Sequence, residues 1–153
     1  MGLERLDAQL LLAHVMGQPR AWLLAHDDAS MTDGQDARFQ ELATRRAAGE
    51  PFAYLVGERE FHGLTLAVDP AVLVPRPDTE TLVDWALELL RRGPGDAPAV
   101  LDLGTGSGAI ALALKNACPR ARVWAGERSA PALAVARANA ARLALDVTFA
   151  QGD

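Results

Sequence analysis

The sequence predicts an α/β protein made of a small helical module, a β-hairpin connector and part of a domain with parallel strands. Three observations predict it. Residues 3–50 carry apolar side chains at helical spacing, residues 51–76 change to short alternating runs, and Val100-Leu101-Asp102-Leu103 runs into Gly104-Thr105-Gly106-Ser107-Gly108 and then Ala109–Leu114. The last of these is a strand, a glycine turn and a helix in succession. The chain divides on this reading into 1–50, 51–76 and 77–153.

In the first segment Leu3, Leu6, Leu10 and Ala13 recur every three or four residues, which marks an amphipathic helix that Gly17 and Pro19 bring to an end. Arg20 to His26 reads as a second, short helix. Thr32-Asp33-Gly34-Gln35 has the form of a capping box, and Phe39, Leu42, Ala43 and Arg46 stripe the helix behind it until Gly49. Arg59-Glu60-Phe61 and Leu64–Val68 then read as two strands around His62-Gly63.

Next comes Val74-Pro75-Arg76-Pro77-Asp78-Thr79-Glu80, in which two prolines fix the chain on either side of Arg76. Asp78 is expected to cap the following helix and Glu80 to sit in its positive first turn. Leu82, Val83, Ala86, Leu87 and Leu90 are expected to form the buried face, and Gly93-Pro94-Gly95 to end the helix. Beyond the glycine turn, Ala121–Gly126 reads as a strand ending at Glu127. Ser129 is an N-cap with Pro131 in the first turn, Ala132–Leu143 is an alanine-rich helix, and Val147–Ala150 begins a third strand.

Composition narrows the function. Half of the 153 residues are hydrophobic and the formal net charge is −5, a balance that disfavours nucleic acid as a partner. Lys115 is the only lysine, and the pairs Arg45-Arg46 and Arg91-Arg92 fall near predicted helix ends, where they complement the helix dipole. A single cysteine, Cys118, excludes an internal disulfide, fits a reducing, cytoplasmic setting and reads as structural. No apolar run has the length of a membrane span, and His14, His26 and His62 lack ligand spacing, so neither membrane nor metal is expected.

Two cofactor classes compete for the glycine turn. Gly104-x-Gly106-x-x-Ala109 satisfies the loose dinucleotide pattern. Gly104-x-Gly106-x-Gly108 preceded by Asp102 satisfies the pattern of S-adenosylmethionine methyltransferases. A pyrophosphate at this turn would meet the Asp102 carboxylate. At about 4 Å and an effective dielectric near ~20, the repulsion is on the order of 4 kcal/mol before screening. The ammonium and sulfonium of S-adenosylmethionine are instead attracted. Glu127 lies about where an acid bonding ribose hydroxyls is expected, and its two oxygens suit vicinal hydroxyls. A solvated charge at a strand end is the plainer alternative for Glu127, and an NAD(P)-dependent oxidoreductase or a non-catalytic cofactor-binding fragment are the alternatives for the chain.

Gly57-Glu58-Arg59-Glu60-Phe61, Val74-Pro75-Arg76-Pro77-Asp78-Thr79-Glu80 and Asp102–Gly108 together resemble the release-factor glutamine methyltransferases, the HemK/PrmC family. A cousin that methylates a glutamine of a large-subunit ribosomal protein differs after the arginine of the second motif. The resemblance implies a helical domain that helps hold a peptide-chain release factor, a hairpin linker, and a Rossmann-like methyltransferase domain using S-adenosyl-L-methionine to methylate a glutamine N5. Carried over, Gly104, Thr105, Gly106 and Gly108 wrap the methionine part of the cofactor, Asp102 lies near its amino end, Glu127 takes the ribose and Asp153 meets the adenine. Glu127 stands where the family usually has aspartate, which implies a longer reach or a shifted ribose. Arg76 and Glu80 either brace the cofactor pocket or substrate entry, or lock linker to domain.

The family's chemistry implies an Asn-Pro-Pro-Tyr motif whose carbonyls orient the target amide, and no Asn-Pro occurs among the 153 residues. The expectation is therefore a chain truncated at both ends relative to the family, without catalytic residues of its own and inactive alone. It is also expected to self-associate, because Val100–Leu103 would form an open apolar edge.

Overall fold

The structure is a computed structural model and describes residues 3–92 and 97–152. It divides into two compact units, Met1–Val56 and Gly57–Asp153.

The first unit is helical: α1 (Arg5–Met16), α2 (Arg20–Ala25), α3 (Asp33–Ala47) and α4 (Phe52–Val56). Its core is Leu11, Leu42 and Leu55, with Phe39 and Phe52 packed against them. The α1 stripe is rotated from its expected position. Leu11 is the fully buried residue and Leu6 is half exposed, because α3 and α4 approach the Leu11 side. Gly17 ends α1 in the left-handed conformation, with Gln18 N donating to Ala13 O at 3.0 Å. The capping box forms as expected: Thr32 Oγ1 accepts from Gln35 N and Gln35 Oε1 accepts from Thr32 N. Arg45 and Arg46 do more than face the helix dipole. Arg46 Nε reaches Asp7 on α1 at 2.7 Å, and Arg45 grips Glu50 with two bonds of 2.8 and 2.6 Å, which holds the Glu50 carboxyl below its usual range.

In the second unit, β1 (Glu58–Phe61) and β2 (Leu64–Ala67) pair antiparallel with Phe61 opposite Leu64. His62 and Gly63 both have positive φ, 48° and 77°, which is the form of a two-residue type I′ hairpin turn. The turn is held by carboxylates: Gly63 N donates to Glu60 and His62 N donates to Glu80 Oε1 at 3.2 Å. Strand alternation sends Phe61, Leu64 and Leu66 into the core.

The stretch after Pro75 departs from expectation at two points. Pro77–Thr79 form a single 3₁₀ turn with Arg76 at its N-cap position and no side-chain cap, so Asp78 lies inside the turn and not at the start of the helix. The following helix, α5 (Glu80–Arg92), buries Val83 and Leu87, whereas Leu82 is 46 % exposed. The expected stop at Gly93-Pro94-Gly95 lies outside the described residues.

β3 (Ala99–Leu103), α6 (Ala109–Ala117), β4 (Arg122–Glu127), α7 (Ala130–Leu143) and β5 (Thr148–Gln151) complete the unit. The strands are parallel in the order β3-β4-β5, with Asp102 opposite Ala125 and Leu103 opposite Gly126. Both β–α–β connections step the same way along the sheet, and connections of one hand then place α6 and α7 on one face. Val100, Val123, Ala125 and Phe149 on that face pack with Ala111. The other side of α6 offers Leu112 and Ala113 to Phe61, Leu66, Val83 and Leu87. α6 is thus the middle of three layers, which is why nearly every side chain from Ala109 to Leu114 is buried. On the opposite sheet face Leu101 and Leu103 are 63 % and 73 % exposed, and among the described residues β3 is an edge strand. No helix among the described residues is long and apolar enough to cross a membrane.

Candidate functional site

The site lies where β3 ends and α6 begins. A turn this tight after a strand demands left-handed backbone, and Gly104, Gly106 and Gly108 have φ of 75°, 55° and 84°. They differ in what surrounds them. A Cβ on Gly108 would stand 3.0 Å from Leu112 Cδ1 and 3.4 Å from Ala136 Cβ, so this glycine lets α6 pack closely. A Cβ on Gly104 or Gly106 would meet nothing within 4 Å, so these two leave an open backbone surface.

The turn is tied to the neighbouring strand. Gly104 N and Thr105 N both donate to Gly126 O, at 2.8 and 3.0 Å. Gly106 N donates to Glu127 Oε2 at 2.9 Å, and Gly108 N closes onto Thr105 O at 2.8 Å. The other oxygen of Glu127 accepts from Ser129 N at 2.9 Å. Bonds from the backbone N–H groups of Ser129 first, then Gly106, hold the Glu127 carboxyl below its usual range. Asp102 receives a bond of 2.7 Å from Thr105 Oγ1, which folds the threonine back over the strand end and buries it.

The structure therefore brings Asp102, Gly104, Thr105, Gly106, Gly108 and Glu127 together around one turn. Asp153 lies outside the described residues. Facing the turn is a cleft of about 160 Å³ whose other wall is Leu73, Val74, Pro75 and Arg76. Arg76 lines this cleft, while Glu80 holds the hairpin turn instead. A larger hollow of about 380 Å³, between Leu87, Arg91 and Cys118–Arg120, lies at the other end of α6 and has neither glycine turn nor carboxylate. Among the described residues no cluster of His, Cys, Asp and Glu could hold a metal ion.

One residue that sequence reasoning did not single out belongs to the site's frame. Asn139 is fully buried on α7, bonded to Ser107 and to Ala67. The available signal was its place beside Ala132, Ala136 and Ala140, a polar side chain on an otherwise apolar helix face.

Comparison with known proteins agrees with this geometry. Residues 1–57 match the model of the PrmC N-terminal domain and residues 100–153 a methyltransferase domain. The chain is 54 % identical over 152 residues to the release factor glutamine methyltransferase of Bordetella pertussis, covering 99 % of this chain and 56 % of that protein. It is 48 % identical over 141 residues to the protein of that name from Escherichia coli, covering 92 % of this chain and 50 % of that one. The chain thus spans about half the length of the curated relatives it matches. Among solved structures, the tRNA (uracil-54, C5)-methyltransferase of Pyrococcus abyssi, bound to S-adenosyl-L-homocysteine, matches with TM-score 0.50 at 19 % identity over 63 % of this chain and 23 % of that one. The N-terminal domain of human METTL16, also bound to that ligand, matches with TM-score 0.50 at 17 % identity over 78 % and 44 %. These two show the fold, which is Rossmann-like, and with the family match over 100–153 the second unit holds part of a Rossmann-like methyltransferase domain.

The lowered Glu127 pKa yields a pH prediction. Its bonds to the turn are present above the ordinary glutamate pKa of about 4.3 and are lost as pH falls through the lower folded value. The amide resonances of Gly106 and Ser129, followed from pH 7 downward, should hold steady through about 4.3 and move together below it. An inflection at or above the ordinary value would show that the carboxylate does not clip the turn.

Proposed function

We propose that this chain carries the release-factor-contacting unit and the first half of the cofactor site of an S-adenosyl-L-methionine-dependent methyltransferase. Its substrate is a glutamine side chain, methylated at N5, of a peptide-chain release factor. The observation that carries the cofactor assignment is electrostatic. The turn has two carboxylates beside it, Asp102 and Glu127, and the N–H groups of Gly104, Thr105, Gly106 and Gly108 already have protein acceptors. An anionic pyrophosphate would find those four donors engaged and meet like charge from both carboxylates, whereas the ammonium of a methionine moiety is attracted.

The residues fit the group. Open space above Gly104 and Gly106 admits the methionine part against the backbone, and Asp102 supplies the counter-charge for its ammonium. Glu127 accepts from Gly106 of the turn with one oxygen and from Ser129 with the other, and a carboxylate oxygen can accept a second bond, here from a ribose hydroxyl. Asp153 is assigned to the adenine. When bound, the cofactor supplies an electrophilic methyl on a sulfonium. The acceptors that would orient the target amide, assigned by the resemblance to Asn-Pro-Pro-Tyr, are not among the 153 residues. The helical unit Met1–Val56 is assigned to holding the release factor, with the hairpin as linker, and a cytoplasmic location follows from that partner. The similarity to release factor glutamine methyltransferases over 92–99 % of the chain supports this reading.

Calorimetric titration with S-adenosylhomocysteine, with NAD in parallel, tests the cofactor. S-adenosylhomocysteine should bind and NAD should not. Asp102→Ala should weaken binding about tenfold, equivalent to about 1.4 kcal/mol. NAD binding in place of S-adenosylhomocysteine would overturn the assignment.

The exposed edge of β3, flanked by Leu101 and Leu103, supports self-association of this chain. Light scattering should show a mass that rises with concentration, and a constant monomer mass at high concentration would contradict it.

A further inference from the structure

The cleft at the glycine turn has two walls that are far apart in sequence. One is the glycine turn, Gly104–Ser107. The other is Leu73–Arg76, which follows the hairpin strand β2 by a few residues. A site built this way needs something to register one wall on the other.

Asn139 meets that need. Its side chain is 0 % exposed and sits on α7 among Ala132, Ala136 and Ala140. Oδ1 accepts from Ala67 N at 2.7 Å, while Nδ2 donates to Ala67 O at 3.0 Å and to Ser107 O at 2.9 Å. The partners are 72 and 32 residues away in sequence. Ala67 is the last residue of β2, where the chain leaves the hairpin toward the second wall, and Ser107 is in the turn itself. Ala67 N can only donate, which fixes the orientation of the amide, and both Nδ2 hydrogens then fall on carbonyl oxygens. A buried amide left unbonded would be costly, and an alanine would fill this helix face as its neighbours do.

We infer that Asn139 is a positioning residue for the cofactor site: one buried amide holds Ser107 of the glycine turn and Ala67 at the exit of the hairpin in fixed register. This inference rests on the cofactor reading of that turn. It predicts that the effect of changing Asn139 is local to the two walls. Asn139→Asp keeps size and shape and keeps an acceptor for Ala67 N, but it turns both donors into an oxygen facing two carbonyls.

The test compares amide hydrogen exchange and S-adenosylhomocysteine affinity in the whole 153-residue chain and in Asn139→Asp. Asn139→Ser serves as the second variant if the first does not fold. Exchange at Ala67, Gly106 and Gly108 should accelerate at least about tenfold while the paired amides of β4 stay as they were, and the Kd should rise about tenfold. Unchanged exchange at those three amides overturns the inference, as does unchanged affinity in a wild type that binds. Loss of protection across β4 and the turn alike also overturns it, because Asn139 would then be an ordinary core residue. A wild-type chain that does not bind S-adenosylhomocysteine defeats the cofactor reading, and the exchange result alone then decides whether Asn139 holds the turn.

Discussion

The glycine turn after β3 is held from the neighbouring strand, and the rest of the site depends on that hold. Gly126 O and the Glu127 carboxylate, consecutive groups at the end of β4, take the N–H groups of Gly104, Thr105 and Gly106. Parallel pairing brings these groups together, because Leu103 at the end of β3 lies opposite Gly126 and β4 runs one residue further, to Glu127. Without the carboxylate, a turn of left-handed residues would have few bonds to select one conformation from the many glycine permits. With it, the backbone at Gly104 and Gly106 is both open to a ligand and fixed in place, the preorganisation that binding and positioning chemistry require.

That arrangement also decides what kind of ligand the turn suits. Phosphate-binding turns present unspent N–H groups and a helix N-terminus to an anion. Here four N–H groups of the turn have acceptors inside the protein, and two carboxylates flank it. Bonds from Ser129 and Gly106 hold the Glu127 carboxyl below its usual range, so it is negative at neutral pH. The same groups that stiffen the turn give it its preference for positive charge.

Much of this was legible in local sequence. The order Asp102, three alternating glycines and Ala109–Leu114 specifies strand, turn and helix with neighbouring residues alone, and the Thr32–Gln35 box and the His62-Gly63 hairpin are equally local. Features that depend on distant partners were not legible. The expected face of α5 is one residue too wide: Val83 and Leu87 are buried with Ala86 and Leu90 packed beside them, whereas Leu82, at the margin of that stripe, is left exposed, and the width of a buried face is set by the elements that pack on it. Asp78 looked like a cap until the two prolines drew the chain into a 3₁₀ turn that begins at Arg76. The bonds from Asn139 to Ala67 and Ser107 and from His62 to Glu80 join segments that no short window contains.

The central claim is that the carboxylate-clipped turn is a preformed site for the methyl-donor cofactor. It is tested most directly by recording amide nitrogen–proton spectra of the ¹⁵N-labelled chain during titration with S-adenosylhomocysteine. Shifts should concentrate on Gly104, Gly106, Gly108 and the residues just after Glu127, with the amides of α1 and α3 unmoved. Shifts centred on Cys118–Arg120 at the far end of α6, or a saturating response that leaves the glycine turn untouched, would contradict it.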